Sequence, residues 1–251
     1  MTSDRSDLRA ERESLILATD LDGTFAGGTP ADRELLQQTL RGLPGATLIY
    51  VTGRSVEATR EIMAEAPLPT PDILIADVGT SVRKGPHLEP LTEIESQLDA
   101  LWPGGEAIRQ RLAEVSGLEE QEVRAARRVS YWICHGSMDE AIDRAARALG
   151  DLNVDLVASA GIYLDVLPPG VNKGTTLRRA LDWLERVDAD VVVAGDTLND
   201  LALFETGLCG VVVGNCEEAL RERVSGREHL YLASGEGAAG ILEGLRHFGW
   251  L

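Results

Sequence analysis

The sequence predicts an α/β protein with a Rossmann-like parallel sheet as its core and an α+β unit inserted into that core. Short β-rich runs alternate with helical patterns at both ends of the chain, as in parallel sheets that are wrapped by helices. Between residues 84 and 168 the elements follow an order that favours an antiparallel sheet with helices on one face. The 251 residues are enough for a large domain that carries a smaller one.

The core elements can be assigned one after another along the chain. The first buried strand is expected at 15–19, and a helix follows that begins at Pro30 with Thr29 as its N-cap. Each further strand is a short apolar run between turn residues. We expect these strands at 47–51, 72–76, 191–194, 210–213 and 229–232, and helices at 55–64 and 237–247.

The inserted unit is expected to cover 84–168, which leaves a discontinuous core of 1–83 and 169–251. Its elements are expected in the order helix, helix, strand, helix, strand, strand. The predicted helices are 91–102, 105–115 and 138–149, and the predicted strands are 128–134, 153–159 and 162–167. The last two strands are expected to pair with each other.

The composition excludes several classes of protein. Hydrophobic residues make up 44% of the chain and charged residues 26%, as in globular proteins with a sizeable core. The 24 basic and 41 acidic residues give a net charge of −17, so neither nucleic acid nor a membrane surface is an expected partner. No apolar run approaches the ~18 residues that cross a bilayer, and the charged stretch 1–14 lacks the apolar part of a signal peptide. We therefore expect a cytoplasmic protein, while its oligomeric state cannot be read from the sequence.

Polar side chains follow three of the predicted parallel strands at the point where each strand ends. In such a sheet, ligands bind beyond the carboxyl ends of the strands. The residues at these positions are Asp20 and Asp22, then Thr52 and Gly53, then Asp196, Asn199 and Asp200. Two carboxylates packed together repel each other unless one is protonated or a cation lies between them. The acids therefore predict an oxygen-rich Mg²⁺ site, in which one aspartate attacks and another exchanges a proton.

Each of these turns alone also has a simpler interpretation as a capped surface turn. A calcium loop is excluded, because it requires a Glu six residues after the Gly, where this chain has Thr29. Lys173 is one of two lysines in the chain and opens a predicted helix, where a cation can offset the acids and bind a phosphate. The P-loop order of glycines before the lysine is absent.

Taken in order, these motifs resemble those of the haloacid dehalogenase superfamily. The four matching motifs are Asp20-x-Asp22, Thr52, Lys173 and Gly195-Asp196-x-x-x-Asp200. Within the superfamily, the stretches 70–73, 77–80 and 161–168 are similar to the sucrose-phosphatase-like group. The resemblance implies a haloacid-dehalogenase-like core with a type 2 cap inserted between Thr52 and Lys173, which lie 121 positions apart. It also implies an Mg²⁺-dependent phosphatase that hydrolyses a sugar or glycosyl phosphate, as sucrose-6-phosphate phosphatases do, through an aspartyl-phosphate intermediate.

The same resemblance assigns a role to each core residue. Asp20 is then the nucleophile, and Asp22 is the general acid and afterwards the general base. Mg²⁺ would be bound by Asp20, the backbone carbonyl of Asp22 and Asp196, with Asp200 in support. The phosphate-binding groups would be Thr52, the N–H of Gly53, Lys173 and Asn199.

In this group the cap recognises the sugar. The turn that contains Ser159 and Gly161 is a candidate for that contact, and so is Arg128 next to Arg127. For the two arginines, exposure to solvent is the favoured alternative. Arg54 could contact substrate or pair with a core acid, and the sequence leaves this open.

Two other functions fit the motifs less well. A phosphomutase with the same core and cap would also use the Asp-x-Asp pair and would need a bisphosphorylated sugar. A non-enzymatic phospho-acceptor module is disfavoured, because it has no use for a cap or for Asp22. The sugar itself is open: sucrose 6-phosphate, mannosylfructose phosphate, glucosylglycerol phosphate and mannosyl- or glucosyl-phosphoglycerate all remain candidates.

Overall fold

The computed structural model of the protein describes residues 14–159 and 161–251, and these residues form two sheets. The strands are β1 (Ile16–Thr19), β2 (Thr47–Val51), β3 (Ile73–Ala76), β4 (Ser81–Lys84), β5 (Glu89–Pro90), β6 (Leu118–Glu120), β7 (Val129–Ile133), β8 (Asp155–Ser159), β9 (Tyr163–Leu167), β10 (Val191–Gly195), β11 (Cys209–Val212) and β12 (Leu230–Leu232). The α-helices are α1 (Pro30–Gly42), α2 (Val56–Glu65), α3 (Thr92–Leu101), α4 (Gly105–Leu112), α5 (Met138–Leu149), α6 (Lys173–Trp183), α7 (Leu201–Phe204), α8 (Glu218–Val224) and α9 (Gly237–His247).

Strand pairing confirms the predicted α/β core. The larger sheet has the order β12-β11-β10-β1-β2-β3-β4-β5. The six strands from β12 to β3 are parallel, whereas β4 and β5 extend the sheet as an antiparallel edge. Because β1 lies between β2 and β10, the turns that follow these three strands meet at one edge of the sheet. This edge is called the carboxyl edge below.

Helices cover both faces of the larger sheet. Successive strand residues alternate between two apolar clusters, so that Ile16 points into one cluster and Leu17 into the other. Helices α3, α6, α7 and α8 cover the first face, and α1, α2 and α9 cover the second. Burial on both sides explains why these strands are continuous apolar runs in the sequence. Helix α1 begins as predicted, with Thr29 and Asp32 forming a capping box.

The smaller sheet is antiparallel, with the order β6-β7-β9-β8. One of its faces packs on α4 and α5, where Leu112 and Ala145 join the apolar side chains of β7 and β9 in a third cluster. Its other face borders a cavity at the carboxyl edge of the larger sheet. This face is called the open face of the cap sheet below. The two-layer arrangement matches the α+β cap that the sequence predicts.

Two strands that the sequence does not reveal, β4 and β5, extend the larger sheet past residue 84. Helix α3 also packs on the larger sheet, because Leu91, Ile94 and Leu98 are buried in the apolar cluster of its first face. A cap that covers 84–168 stays a prediction, and this packing favours a boundary between Leu101 and Gly105.

The described helices are short. The longest has 13 residues, whereas a bilayer-spanning helix needs about 20. No helix within 14–159 and 161–251 is long and apolar enough to cross a membrane. The charged N-terminal stretch, which carries the prediction about a signal peptide, lies almost entirely in residues 1–13, outside the described part of the chain.

Candidate active site

The turn after β1 brings two acidic segments of the chain together. Asp20 continues the strand pairing, since its N–H donates to the Ala194 carbonyl at 2.9 Å. Gly23 then adopts a φ of +72°, and a Cβ at this position would lie 2.2 Å from Oδ2 of Asp196. Only glycine allows the first turn to approach the Asp196 carboxylate this closely.

A buried cluster of carboxylates lies where the turns after β1 and β10 meet. Asp20, Asp196 and Asp200 each contribute an oxygen to a group of atoms that lie within 4.8 Å of one another. Lys173, at the start of α6, points into this cluster with no exposed surface. Its Nζ donates to Oδ1 of Asp20 at 2.7 Å, to Oδ1 of Asp200 at 2.6 Å and to Oδ1 of Asn199 at 2.8 Å.

The cluster carries more negative charge than its single lysine offsets. Burial raises the pKa of Asp20 well above its ordinary value, which Lys173 opposes and Asp200 reinforces. Burial, followed by the charge of Asp200, raises the pKa of Asp196 to about 6. For Lys173, burial alone would lower the pKa, but Asp20 and Asp200 outweigh burial and raise it, so the ammonium stays charged.

The cluster fits a divalent metal ion. Its donors are all carboxylate oxygens, which hard cations such as Mg²⁺ prefer. Burial and the neighbouring carboxylates raise the pKa values of Asp20 and Asp196, and a divalent cation would offset the repulsion between these acids. The structure thus brings together three of the four predicted metal ligands through their side chains. The fourth, Asp22, was predicted to bind through its backbone carbonyl, and its side chain points elsewhere.

Asp22 forms an ion pair with Arg54. Nε of Arg54 donates to Oδ2 of Asp22 and one terminal nitrogen donates to Oδ1, both at 2.7 Å. Such a two-pronged contact fixes the plane of the carboxylate as well as its position. The structure therefore answers the question that the sequence leaves open about Arg54, which pairs with a core acid.

The predicted phosphate-binding residues surround the same place. Oγ1 of Thr52 is buried and accepts from the N–H of Arg54 at 3.1 Å. Gly53 faces the side-chain amide of Asn199, because a Cβ on Gly53 would lie 3.9 Å from Nδ2 of Asn199. Since Oδ1 of Asn199 accepts from Lys173, its Nδ2 is left to donate to a ligand.

A cavity of about 790 Å³ separates these residues from the open face of the cap sheet. Gly53, Asn199 and the two aspartates of the first motif line it on the core side. The cap contributes the predicted residues Ser159 and Arg128, together with Val157, Tyr163, Asp165 and the segment 121–124. The third predicted cap residue, Gly161, is not among the described residues that line the cavity, because it lies in the exposed turn between β8 and β9. Ala160, in the same turn, lies outside the described residues.

The expectation that Arg127 and Arg128 face solvent is wrong. They are only 4% and 8% exposed, because Arg127 pairs with the buried Glu95 and the exposed Asp99, and Arg128 pairs with the buried Asp77 and Asp165. Arg128 donates to Asp77 at 2.8 Å and to the carbonyl of Gly53 at 3.2 Å, and it lies 3.6 Å from Asp165. The sequence motifs assign no role to Asp77 or Asp165, although both lie in stretches that resemble the sucrose-phosphatase-like group.

Comparison with known proteins identifies the family. Residues 13–249 match the family described as sucrose-6F-phosphate phosphohydrolase. The chain is 32% identical to a mannosylfructose-phosphate phosphatase from Agrobacterium fabrum, over 93% of this chain and 96% of that protein. It is also 42% identical, over 94% of its length, to a glucosylglycerol-phosphate synthase from Pseudomonas anguilliseptica. That protein is much longer, and the match spans only 31% of it.

A solved structure agrees with the sequence match. The sucrose-phosphatase from Synechocystis, determined with sucrose and phosphate, superimposes with a TM-score of 0.84 at 28% identity and covers 94% of this chain and 98% of its own. These likenesses confirm the predicted fold, superfamily and phosphatase class. The chain belongs to the sucrose-6F-phosphate phosphohydrolase family, and with it to the haloacid dehalogenase superfamily.

Proposed function

We propose that this chain is an Mg²⁺-dependent phosphatase that hydrolyses a glycosyl phosphate through an aspartyl-phosphate on Asp20. The observation that carries the proposal is the convergence of Asp20, Lys173, Asp196 and Asp200 at the buried end of a cavity large enough for a glycosyl phosphate. Asp22 lies beside Asp20 on the same turn and also lines that cavity.

The first half of the reaction uses both aspartates of the turn. A carboxylate oxygen of Asp20 attacks the phosphorus atom, and the bond between phosphorus and the sugar oxygen breaks. Asp22 gives a proton to that sugar oxygen, which leaves as a hydroxyl group. In the second half Asp22 takes a proton from a water molecule, the water oxygen bonds to phosphorus, and the bond to Asp20 breaks. Inorganic phosphate leaves and both aspartates return to their starting states.

The other residues bind and orient the phosphoryl group. Lys173 holds Asp20 and keeps a positive charge next to the transferred oxygens. Gly53 and Asn199 line the cavity, and the N–H of Gly53 and Nδ2 of Asn199 would donate to those oxygens. Asp20, Asp196 and Asp200 would hold the Mg²⁺ ion, which when bound neutralises phosphoryl charge and so favours attack by an anionic carboxylate.

The charge around the cavity favours an uncharged sugar moiety. Its lining includes the carboxylates of Glu57, Glu61, Glu122 and Glu217, in addition to those of the motifs. Two of its three arginines, Arg54 and Arg128, already pair with acids. Carboxylates bind sugar hydroxyls well but repel a second anion. Among the candidate substrates, sucrose, mannosylfructose and glucosylglycerol phosphates are therefore favoured over the phosphoglycerate derivatives.

A phosphate-release screen tests the proposal. The purified chain is incubated with Mg²⁺ and each glycosyl phosphate, and free phosphate and the dephosphorylated glycoside are both measured. We expect steady release over many turnovers from at least one neutral glycosyl phosphate. An isomerised sugar phosphate without release of free phosphate would indicate a phosphomutase. Transfer of one phosphoryl group to each chain without further turnover would indicate a phospho-acceptor module.

A further inference from the structure

Two adjacent arginines, Arg127 and Arg128, connect the start of β7 to the larger sheet, and they contact different parts of it. Arg127 donates to Glu95 at 2.8 Å and to Asp99 at 2.6 Å, both on α3, away from the cavity. Arg128 instead contacts Asp77 and the Gly53 carbonyl. The first arginine therefore anchors the cap to the core, and the second reaches the phosphate-binding turn.

The peptide unit between Gly53 and Arg54 is held at both ends. Its carbonyl oxygen accepts from a terminal nitrogen of Arg128 at 3.2 Å. Its N–H donates to Oγ1 of Thr52 at 3.1 Å. The N–H of Gly53 belongs to the adjoining peptide unit, so a shift of this segment would displace that N–H together with Arg54, which holds Asp22.

The turn at 77–79 supports the two peptide units on either side of the Gly53–Arg54 peptide, and the first of them carries the N–H of Gly53. Asp77, Val78 and Gly79 have φ values of +53°, +61° and +104°, a conformation that the β-branched Val78 adopts rarely. The turn is kept in place by two backbone contacts, from Asp77 N–H to the Arg54 carbonyl at 2.8 Å and from Val78 N–H to the Thr52 carbonyl at 3.1 Å. Because Arg128 binds the Asp77 carboxylate and the Gly53 carbonyl, a single guanidinium contacts both the turn and the segment 52–54 that the turn supports.

The two terminal nitrogens of Arg128 are committed to protein groups, while its buried Nε has no partner among the described residues. Both terminal nitrogens face acceptors of the protein, namely Asp77, Asp165 and the Gly53 carbonyl. A buried charge that loses its partners is strongly destabilised, so a sugar hydroxyl would not readily replace them.

From this geometry we propose that Arg128 is a positioning residue, which orients the phosphate-binding N–H of Gly53 and the Arg54–Asp22 pair and does not act by binding the sugar. The inference rests on the proposed function and adds to it a contact between the cap and the phosphate turn. It has a specific consequence. Loss of Arg128 weakens the binding of the phosphoryl group whatever leaving group the substrate carries.

Arg127 provides the matched control. It is the neighbouring residue, it is equally buried, and it also crosses from cap to core, but its hydrogen bonds go to Glu95, Asp99 and the carbonyl of Thr80 after the 77–79 turn, and not to Gly53. The variants to compare are Arg128→Ala, Arg127→Ala, Arg128→Lys and Asp77→Asn. The last two keep most of the side-chain volume, so they carry the test if an alanine variant does not fold. Thermal unfolding reports on the folding of each variant.

The readouts are the inhibition constant of inorganic phosphate and the kcat/KM values for p-nitrophenyl phosphate and for the best glycosyl phosphate. For Arg128→Ala we expect the inhibition constant to rise about tenfold and both kcat/KM values to fall by the same factor, since a hydrogen bond from a charged group is lost. Asp77→Asn and Arg128→Lys should shift the inhibition constant in the same direction by a smaller factor. Arg127→Ala should change it less than about twofold.

Three results would overturn the inference. The first is a loss confined to the glycosyl phosphate, which would make Arg128 a direct sugar ligand. The second is an equal effect of Arg127→Ala, which would make both arginines general anchors of the cap. The third is an unchanged inhibition constant in a folded Arg128 variant of an active enzyme. A wild-type chain that releases no phosphate from any substrate would instead overturn the proposed function.

Discussion

The carboxyl edge of the larger sheet and the open face of the cap sheet border one cavity, but they are built differently. At the edge, Asp20 and Lys173 are buried and bonded to several partners. On the open face, Ser159 and Tyr163 are only half-buried. Groups that do chemistry need fixed positions in a medium of low polarity, whereas groups that select a leaving group need only the right shape. We therefore expect changes at the edge to affect every substrate and changes at the half-buried residues of the open face to affect only some.

The largest effect is expected for Asp20→Asn. An amide cannot attack phosphorus, so turnover should fall by about 10⁴-fold or more with every phosphate ester. The fold should be retained, because burial already favours the uncharged form of this side chain. Initial rates and thermal unfolding check both points. The exposed Asp143 on α5 offers a control, and Asp143→Asn should keep full activity. Substantial turnover by Asp20→Asn would show that Asp20 is not the nucleophile.

A smaller loss is expected for Asp22→Asn. Loss of general acid–base catalysis lowers rates by about 10²–10⁴-fold. Because p-nitrophenyl phosphate releases p-nitrophenolate, which needs no proton to leave, the rate of the first half of the reaction should fall less with this ester than with a glycosyl phosphate. Rapid-mixing measurements should then show a burst of p-nitrophenol followed by a slow steady state. A steady state as fast as that of the wild type would rule out Asp22 as the base.

Asp77 lies between the cap and the carboxyl edge, and its ionisation should make the stability of the chain depend on pH. It faces Arg128, Asp165 and Glu57, and burial raises its pKa to about 6, although Arg128 opposes the shift. At a pH between the unfolded and the folded pKa of Asp77, this carboxyl is protonated in the folded chain and ionised in the unfolded chain. Its contribution to the stability of the wild-type fold is therefore lost as pH rises. Relative to wild type, the free energy of unfolding of Asp77→Asn should therefore increase by about 2 kcal/mol from pH 4.5 to pH 7.5.

Asp99 supplies a control of opposite sign. The hydrogen bond from Arg127 lowers the pKa of this exposed carboxyl, so its contribution is present at neutral pH and is lost in acid. In denaturant unfolding, the free energy of unfolding of Asp99→Asn relative to wild type should fall as pH rises to about 4 and then stay constant from about pH 4.5 to pH 7.5. A pH-independent difference between Asp77→Asn and wild type would show that Asp77 ionises normally in the folded chain.

The smallest effect is expected on the open face. Ser159→Phe would place a large side chain in the cavity. It should raise the KM for the glycosyl phosphate about tenfold and change the KM for p-nitrophenyl phosphate less than about twofold. Gly161→Asn is the matched control on the same turn, because asparagine tolerates its φ of +72° and nothing lies within 4 Å of the new Cβ. If Gly161→Asn is the more harmful variant for the glycosyl phosphate, the sugar lies at the turn, as the sequence predicts, and outside the cavity.

The core half of the site could be predicted from the sequence, because it follows from strand order. Asp20, Thr52 and Asp196 each come directly after an apolar run, and parallel strands bring such positions to one edge. In the cap, α4, β7, α5, β8 and β9 follow in the predicted order, but the short strand β6 was missed and the helix predicted at 91–102 packs on the larger sheet as α3. The strand β4 was missed because its residues Ser-Val-Arg-Lys lack a clear apolar pattern, as is common at a sheet edge.

The sequence could not show which opposite charges pair across the chain. Arg128 binds Asp77 from 51 positions away, and Arg54 binds Asp22 from 32 positions away. No local pattern encodes such contacts, since they depend on how the cap docks on the core. For the same reason an arginine pair that reads as a solvated surface in the sequence is buried in the structure.

The central claim is that Asp20 forms a covalent phosphoryl intermediate at the carboxyl edge, and trapping that intermediate tests it most directly. Asp22→Asn is mixed with radiolabelled p-nitrophenyl phosphate and Mg²⁺, quenched in acid, digested and analysed by mass spectrometry. We predict about one phosphoryl group per chain, on the peptide that contains Asp20, and none in the Asp20→Asn/Asp22→Asn double variant or after removal of the metal with EDTA. Labelling that survives in the double variant, or turnover by Asp22→Asn without any labelled Asp20, would contradict the account.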